Sequence, residues 1–149
     1  MRPALAAFLR NPPAFTALTC PSRPLLVAHV QTDGSFTPAI ARTAVVLRTT
    51  AATEYTLATT YFDHRNSTHT EWHSVLDGIK YTIEKGDYSM ELENDCLGVV
   101  KALIKQKKPL DKQSAHAYNA VSREIRSLDY FGIRWIPREM NKADELFRL

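Results

Sequence analysis

Between Leu25 and Phe36 the chain is aliphatic and then turns polar at Asp33-Gly34-Ser35, the pattern of a strand running into a turn. Thr43–Thr50 and Glu54–Tyr61 are β-branched and aromatic on either side of Ala51–Thr53, which predicts a hairpin and completes a three-stranded meander. The period then changes. Behind Thr70 as N-cap, Trp72, Val75, Leu76, Ile79 and Ile83 recur at helical spacing until Gly86. Tyr88, Met90 and Leu92 alternate with Ser89, Glu91 and Glu93, a half-buried strand ending at Asn94. A second helix carries Leu97, Val100, Leu103 and Ile104. The linker Lys105–Lys112 leads to a third helix, Ala115–Leu128, with Tyr118, Val121, Ile125 and Leu128 on one face. Tyr130–Ile136 is the last strand, closed by Pro137, and Asn141–Leu149 a short terminal helix. The order β-β-β-α-β-α-α-β-α predicts an α/β fold, a mixed five-stranded sheet flanked by helices.

Residues 1–24 stand apart from this pattern. They hold five prolines and three arginines but no acid, and Ala4–Leu9 offers barely two helical turns before Pro12-Pro13. Two readings fit them, a flexible N-terminal arm or a targeting segment of the organelle-transit type. The domain proper then covers residues 25–149. The expected location is the cytoplasm, or the mitochondrion if residues 1–24 are a transit peptide. Cys20 and Cys96 have no metal-ligand spacing and are too few for a disulfide framework, which fits a reducing compartment. No apolar run is long enough to cross a bilayer, so no membrane partner is expected.

Charge adds a gradient. Residues 33–95 carry 5 basic and 10 acidic side chains, a net of −5, and residues 96–149 carry 11 basic and 6 acidic, a net of +5. Ordinary scatter of solvated charge produces such differences, and so does an acidic site beside a basic surface that receives a polyanion.

Four acids fall at places where an α/β sheet gathers chemistry. Asp33 follows the first strand's apolar run, Asp95 follows the fourth strand, Glu71 opens the first helix, and Asp144 lies in the first turn of the last. Each has a local alternative. Asp33 before Gly34 suits a turn, Asp95 suits a helix cap, Glu71 complements a helix dipole, and Asn141 with Asp144 resembles a capping box. Taken together they suggest a shared cation, because clustered carboxylates repel one another without one. Hard oxygen ligands select Mg²⁺ or Mn²⁺.

The order of these motifs resembles the ribonuclease H family of the plant-type, type 1 kind. Thr32-Asp33-Gly34-Ser35-Phe36, Thr70-Glu71-Trp72, Glu93-Asn94-Asp95-Cys96 and the run from Trp135 to Leu146, which includes Pro137-Arg138-Glu139 and Asn141-Lys142-Ala143-Asp144, carry the resemblance. It spans residues 25–149 and implies a ribonuclease H-like fold. It implies Asp33, Glu71, Asp95 and Asp144 as catalytic, metal-binding residues for two Mg²⁺ ions, with Mn²⁺ as substitute. It also implies an endonuclease that hydrolyses the RNA strand of RNA–DNA hybrids, leaving 5′-phosphate and 3′-hydroxyl ends. Ser35, Thr68, Arg138 and Asn141 are the expected substrate contacts. The alternative is a non-catalytic domain of this fold that binds nucleic acid or a partner in a larger assembly.

The chain departs from the family pattern at several points. Ser67 and Thr68 stand where the family often has asparagines, with Asn66 one step earlier. Thr37-Pro38-Ala39-Ile40 replaces a Gly-rich turn. Arg138 and Glu139 stand in the loop where a histidine often assists product release, and Arg138 is the candidate substitute. A basic protruding helix is missing, although Lys105, Lys107, Lys108 and Lys112 remain as candidate phosphate contacts. His69 and His73 have zinc-ligand spacing, but no third ligand is evident in the sequence. Trp72 and Trp135 lie in apolar patterns and are read as core.

Overall fold

A computed structural model describes residues 2–19, 22–64 and 66–148. Cys20, Pro21 and Leu149, which figure in the reading of the two termini, lie outside the described residues. In chain order the elements are α1 (Pro3–Arg10), β1 (Thr16–Ala17), β2 (Ala28–Phe36), β3 (Ala41–Arg48), β4 (Glu54–Tyr61) and α2 (Ser67–Glu84). Next come β5 (Ser89–Asn94), α3 (Leu97–Lys105), α4 (Lys112–Arg126) and β6 (Tyr130–Trp135). A 3₁₀ turn, Arg138–Met140, and a 3₁₀ helix, Lys142–Arg148, follow.

The expected meander forms: β2 pairs antiparallel with β3, and β3 with β4. β5 then lies parallel to β2 on its other side, and β6 parallel to β5. The sheet order is β1-β6-β5-β2-β3-β4, mixed as expected but with six strands rather than five. The extra strand comes from the arm. Thr16 and Ala17 pair antiparallel with Ile133 and Gly132 on the β6 edge. The Leu18 N–H donates to the Phe131 carbonyl at 2.8 Å, and the Phe131 N–H to Thr19 Oγ1 at 2.9 Å. The same segment buries Phe8 and lays Phe8 and Phe15 against the Arg134 guanidinium. Its backbone thus covers the row of unpaired polar groups that a sheet edge otherwise presents.

The core lies where α2, α3 and α4 pack on the central strands. Val30, Val45, Leu47, Met90, Leu92, Phe131 and Ile133 from the sheet meet Trp72, Val75, Ile79, Val99, Val100, Leu103 and Val121 from the helices. Burying each such side chain contributes about 1.5–3 kcal/mol. Gly78 lets α2 settle on β2, since a Cβ there would come within 2.4 Å of Thr32 Cγ2.

Several boundaries differ from the sequence reading. α2 starts before Thr70, at Ser67, because the Asn66 side chain caps it by accepting the His69 N–H at 2.7 Å. Thr70 is instead buried inside the helix. Leu25 and Leu26 precede β2 and are exposed, so the first strand is shorter at its start. On α3, Leu97 and Ile104 are exposed, and Val99 joins Val100 and Leu103 in the core. α4 starts at Lys112, where Asp111 caps it through the Ser114 N–H at 2.9 Å. The terminal segment is a 3₁₀ helix, not an α-helix. Trp72 is core, edge-on to Tyr118. No helix among the described residues is long and apolar enough to cross a membrane.

Candidate metal centre

The parallel pairing of β2 with β5 ends at Thr32 opposite Asn94. Asp33 and Asp95 each come one residue later, so the two carboxylates leave neighbouring strands at the same level. Asp33 does not open a turn. β2 continues through it, pairing Asp33 with Ala44 and running on to Phe36. The turn comes afterwards, at Thr37–Ile40, closed by the Thr37 N–H on the Ile40 carbonyl at 2.9 Å. Asp95 does not cap α3, whose N-cap is Cys96 and which has no side-chain cap bond.

Asn94, which the sequence reading did not single out, holds this corner. It is fully buried. Its Nδ2 donates to the Thr32 carbonyl at 3.1 Å and Oγ1 at 3.0 Å, and its Oδ1 accepts the Cys96 N–H at 2.7 Å. The signal was there: Asn94 occupies the phase of Met90 and Leu92, and a polar side chain in a buried phase must find partners.

Glu71 arrives from α2. Gly34 permits the approach, because a Cβ there would lie 2.9 Å from the Thr70 carbonyl carbon and oxygen. The Gly34 N–H points between two carboxylates, at 2.8 Å from Glu71 Oε1 and 2.9 Å from Asp33 Oδ1. Asp33, Glu71 and Asp95 thereby offer oxygens that all lie within 4.8 Å of one another. Among the described residues no ion pair joins any of the three to a cationic side chain.

Burial and mutual repulsion outweigh the hydrogen bonds that oppose them. Burial pushes the Asp33 carboxyl up to about 9, with Glu71, Asp95 and Asp144 adding to it and the Gly34 N–H opposing. Burial and then Asp95 push Glu71 up to about 8. Asp95 is raised by burial against the opposing hydrogen bond from Asn141. Three acid oxygens in so small a space, with no cationic side chain among the described residues paired to them, fit a divalent cation as the missing positive charge.

Asp144 is placed differently. It is buried at the start of the 3₁₀ helix, with Arg138 Nη2 3.5 Å from its Oδ1 and Arg148 paired to its Oδ2. It stands near enough to raise Asp33 yet outside the three-oxygen set. Of the expected substrate contacts, Thr68 is exposed on the first turn of α2, Ser35 is half-buried in β2, and Arg138 is exposed beside Asp144. Asn141 is 3% exposed and turned inward. Its Nδ2 donates to the Thr32 carbonyl at 2.9 Å and to Asp95 Oδ2 at 3.3 Å, and its Oδ1 accepts the Ala143 N–H at 3.1 Å. It orients Asp95 rather than facing solvent. Trp135 acts alongside it, with its indole N–H on the Asp95 carbonyl at 3.0 Å.

Comparison with known proteins bears on this arrangement. The family model described as reverse transcriptase-like matches residues 31–146. No curated protein matches the chain. Among solved structures, the ribonuclease H1 of the halophilic archaeon Halobacterium salinarum is similar at 20% identity, with a TM-score of 0.73 over 80% of this chain and 92% of its own. The N-terminal ribonuclease H domain of a Mycobacterium tuberculosis protein is 17% identical, with a TM-score of 0.69 over 81% and 90%. A ribonuclease H1 isolated from compost by a metagenomic approach, solved in complex with an RNA/DNA hybrid, is 17% identical, with a TM-score of 0.70 over 80% and 92%. The fold is thus ribonuclease H-like.

Proposed function

The chain belongs to the reverse transcriptase-like family, and from that premise we propose that it is a metal-dependent endonuclease that hydrolyses the RNA strand of RNA–DNA hybrids. The observation that carries this reading is the convergence of Asp33, Glu71 and Asp95 from three separate elements, with no cationic side chain among the described residues paired to them. A structural domain gains nothing from such repulsion. A site that binds cations does.

Asp33, Glu71 and Asp95 hold the ions, and Asp144 completes the set when Arg148 and Arg138 release it. Two Mg²⁺ ions held there, or Mn²⁺ in their place, would supply an activated water and charge stabilisation for the leaving oxygen, the chemistry of paired metals in phosphodiester cleavage. Asn141 and the Gly34 N–H fix the angles at which Asp95, Asp33 and Glu71 present their oxygens. Ser35 and Thr68 contact the sugar-phosphate backbone, and the 2′-hydroxyl identifies the RNA strand. Arg138, exposed beside Asp144, receives the cleaved phosphate.

The test is cleavage of a labelled hybrid with and without Mg²⁺. Asp95→Asn is expected to abolish Mg²⁺-dependent cleavage, and full activity in that variant refutes the reading. Offering hybrid, double-stranded RNA, double-stranded DNA and single-stranded RNA together reads out the substrate class.

One observation favours a second reading, a nucleic-acid-binding domain without catalysis. Asp144 is paired with two arginines. Binding of the hybrid without cleavage in Mg²⁺ or Mn²⁺ selects that alternative.

A further inference from the structure

Beside the carboxylates, a second cluster surrounds the start of α2. His69 and His73 lie one turn apart on the helix, and His64 reaches them from the loop after β4. One ring nitrogen of each lies within 4.8 Å of the other two. His64 is thus the third nitrogen ligand that the spacing of His69 and His73 lacked in the sequence.

The hydrogen bonds around His64 fix which of its nitrogens is bare. The Thr70 hydroxyl donates its one proton to the Asn66 carbonyl at 3.1 Å, so at 3.0 Å it accepts from His64 Nδ1–H. His64 Nε2 is then a lone pair, and it points at His73 Nδ1, 2.8 Å away. The other nitrogen of His73 lies 3.6 Å from Asp77 Oδ1. Asp77 is held in turn by the Thr43 and Tyr61 hydroxyls at 2.6 and 2.8 Å. A neutral His73 has one N–H for two acceptors, His64 Nε2 and the Asp77 carboxylate. His69 Nδ1 is buried and has no hydrogen-bond partner among the described residues. A cation at the centre removes both conflicts. It takes lone pairs from His64, His73 and His69, and leaves the outward N–H of His73 to Asp77, the arrangement usual for metal-bound imidazole. Tyr61 stacks on His64 and His73, with centroids at 4.7 and 4.3 Å, and holds both rings in place.

We propose that His64, His69 and His73 bind a single Zn²⁺-class transition-metal ion, at a site separate from the carboxylate centre. Three imidazoles suit zinc, whose tetrahedral ligands at about 2.0–2.1 Å stand about 3.3 Å apart. His64 Nε2 and His73 Nδ1 stand 2.8 Å apart, one nitrogen from each of the three rings lies within 4.8 Å of the others, and all three rings are half-buried. The three histidines line one cleft together with Asp63, Asp111 and His116, from which a fourth ligand would come. The two centres differ in ligand chemistry, imidazole nitrogen against carboxylate oxygen, and so in metal. They also lie on different sides of one helix. Glu71 is two residues from each of His69 and His73, about 200° round the axis. An ion here ties the loop carrying His64 to the first two turns of α2, and so braces the helix that delivers Glu71.

The test uses the full untagged chain, stripped of metal and dialysed against Zn²⁺ or Co²⁺. The wild type and an Asp33→Asn/Asp95→Asn variant are each expected to bind one equivalent of Co²⁺ with the intense visible absorption of a tetrahedral nitrogen site. Zn²⁺ should raise Tm in both. His64→Ala, in a loop, and His73→Gln should weaken binding by more than about 100-fold and lose the Tm shift, while circular dichroism shows the helices intact. Zinc held equally by the histidine variants overturns the proposal. So does zinc lost from the Asp33→Asn/Asp95→Asn variant alone, or a wild type that takes up none.

Discussion

At the scale of single residues, the carboxylates of the candidate metal centre set stability against function. Asp33 and Glu71 hold protons in the fold well above the ordinary carboxylate range, up to about 9 and about 8. In the unfolded chain the same groups ionise near 4. Between those limits the unfolded state binds fewer protons, so the metal-free fold loses stability as pH rises from about 4 toward about 9. Thermal melts in EDTA across that range should show a falling Tm, and added Mg²⁺ should restore most at the alkaline end. Asp33→Asn removes one charge from the cluster. It is expected to flatten the pH profile and raise the metal-free Tm at pH 8 by about 3 °C or more, while abolishing cleavage. A variant whose Tm follows the wild type at every pH contradicts the assignment of that repulsion to Asp33.

At the scale of elements, the centre depends on how closely α2 approaches β2. Gly34 and Gly78 remove side chains at two points of that contact, and the Gly34 N–H then bridges Asp33 and Glu71. Gly34→Ala puts a methyl 2.9 Å from the Thr70 carbonyl, against helix backbone that cannot rotate away. A destabilisation of about 1–3 kcal/mol in urea melts is expected. Displacing Glu71 by a fraction of an ångström should cost a further loss of about 100-fold in kcat. Unchanged kcat in a folded Gly34→Ala protein argues that Glu71 does not need this contact. The arm works at the same scale. Residues set apart by their prolines and arginines extend the sheet by one short strand, and Arg23 pairs with the buried Glu91 at 3.0 Å. Composition alone separates such a segment from the domain, because two paired residues carry almost no pattern. Backbone hydrogen bonds to β6 decide where it lies.

At the scale of the whole molecule, charge is divided along the chain, net −5 over residues 33–95 and +5 over residues 96–149. Lys105 at the end of α3 and Lys107 and Lys108 in the loop after it are exposed, and Lys112 follows at the start of α4. If they contact phosphate, each releases counterions on binding. Replacing Lys107 and Lys108 by alanine should then lower the slope of log affinity against log salt by about 2 for a hybrid duplex, with kcat retained. An unchanged slope makes the loop a solvated linker.

What the sequence determined by itself was periodic or local. Alternation and helical spacing settled strand and helix types, and their order settled a mixed sheet with flanking helices. The short motifs around Asp33, Glu71 and Asp95 marked the acids before any geometry was known. Tertiary structure decided the rest, because it concerns contacts between residues far apart in sequence. Asp33 is inside a strand rather than at a turn because β3 continues to pair with it. Asn141 faces Asp95 and not solvent because the chain end folds back onto Thr32, 109 positions away. Asp144 sits between two arginines, and His64 closes on His69 and His73 across a loop. Sequence spacing carries pattern within an element. Which side chains from different elements end up a few ångströms apart is set only when the core has packed.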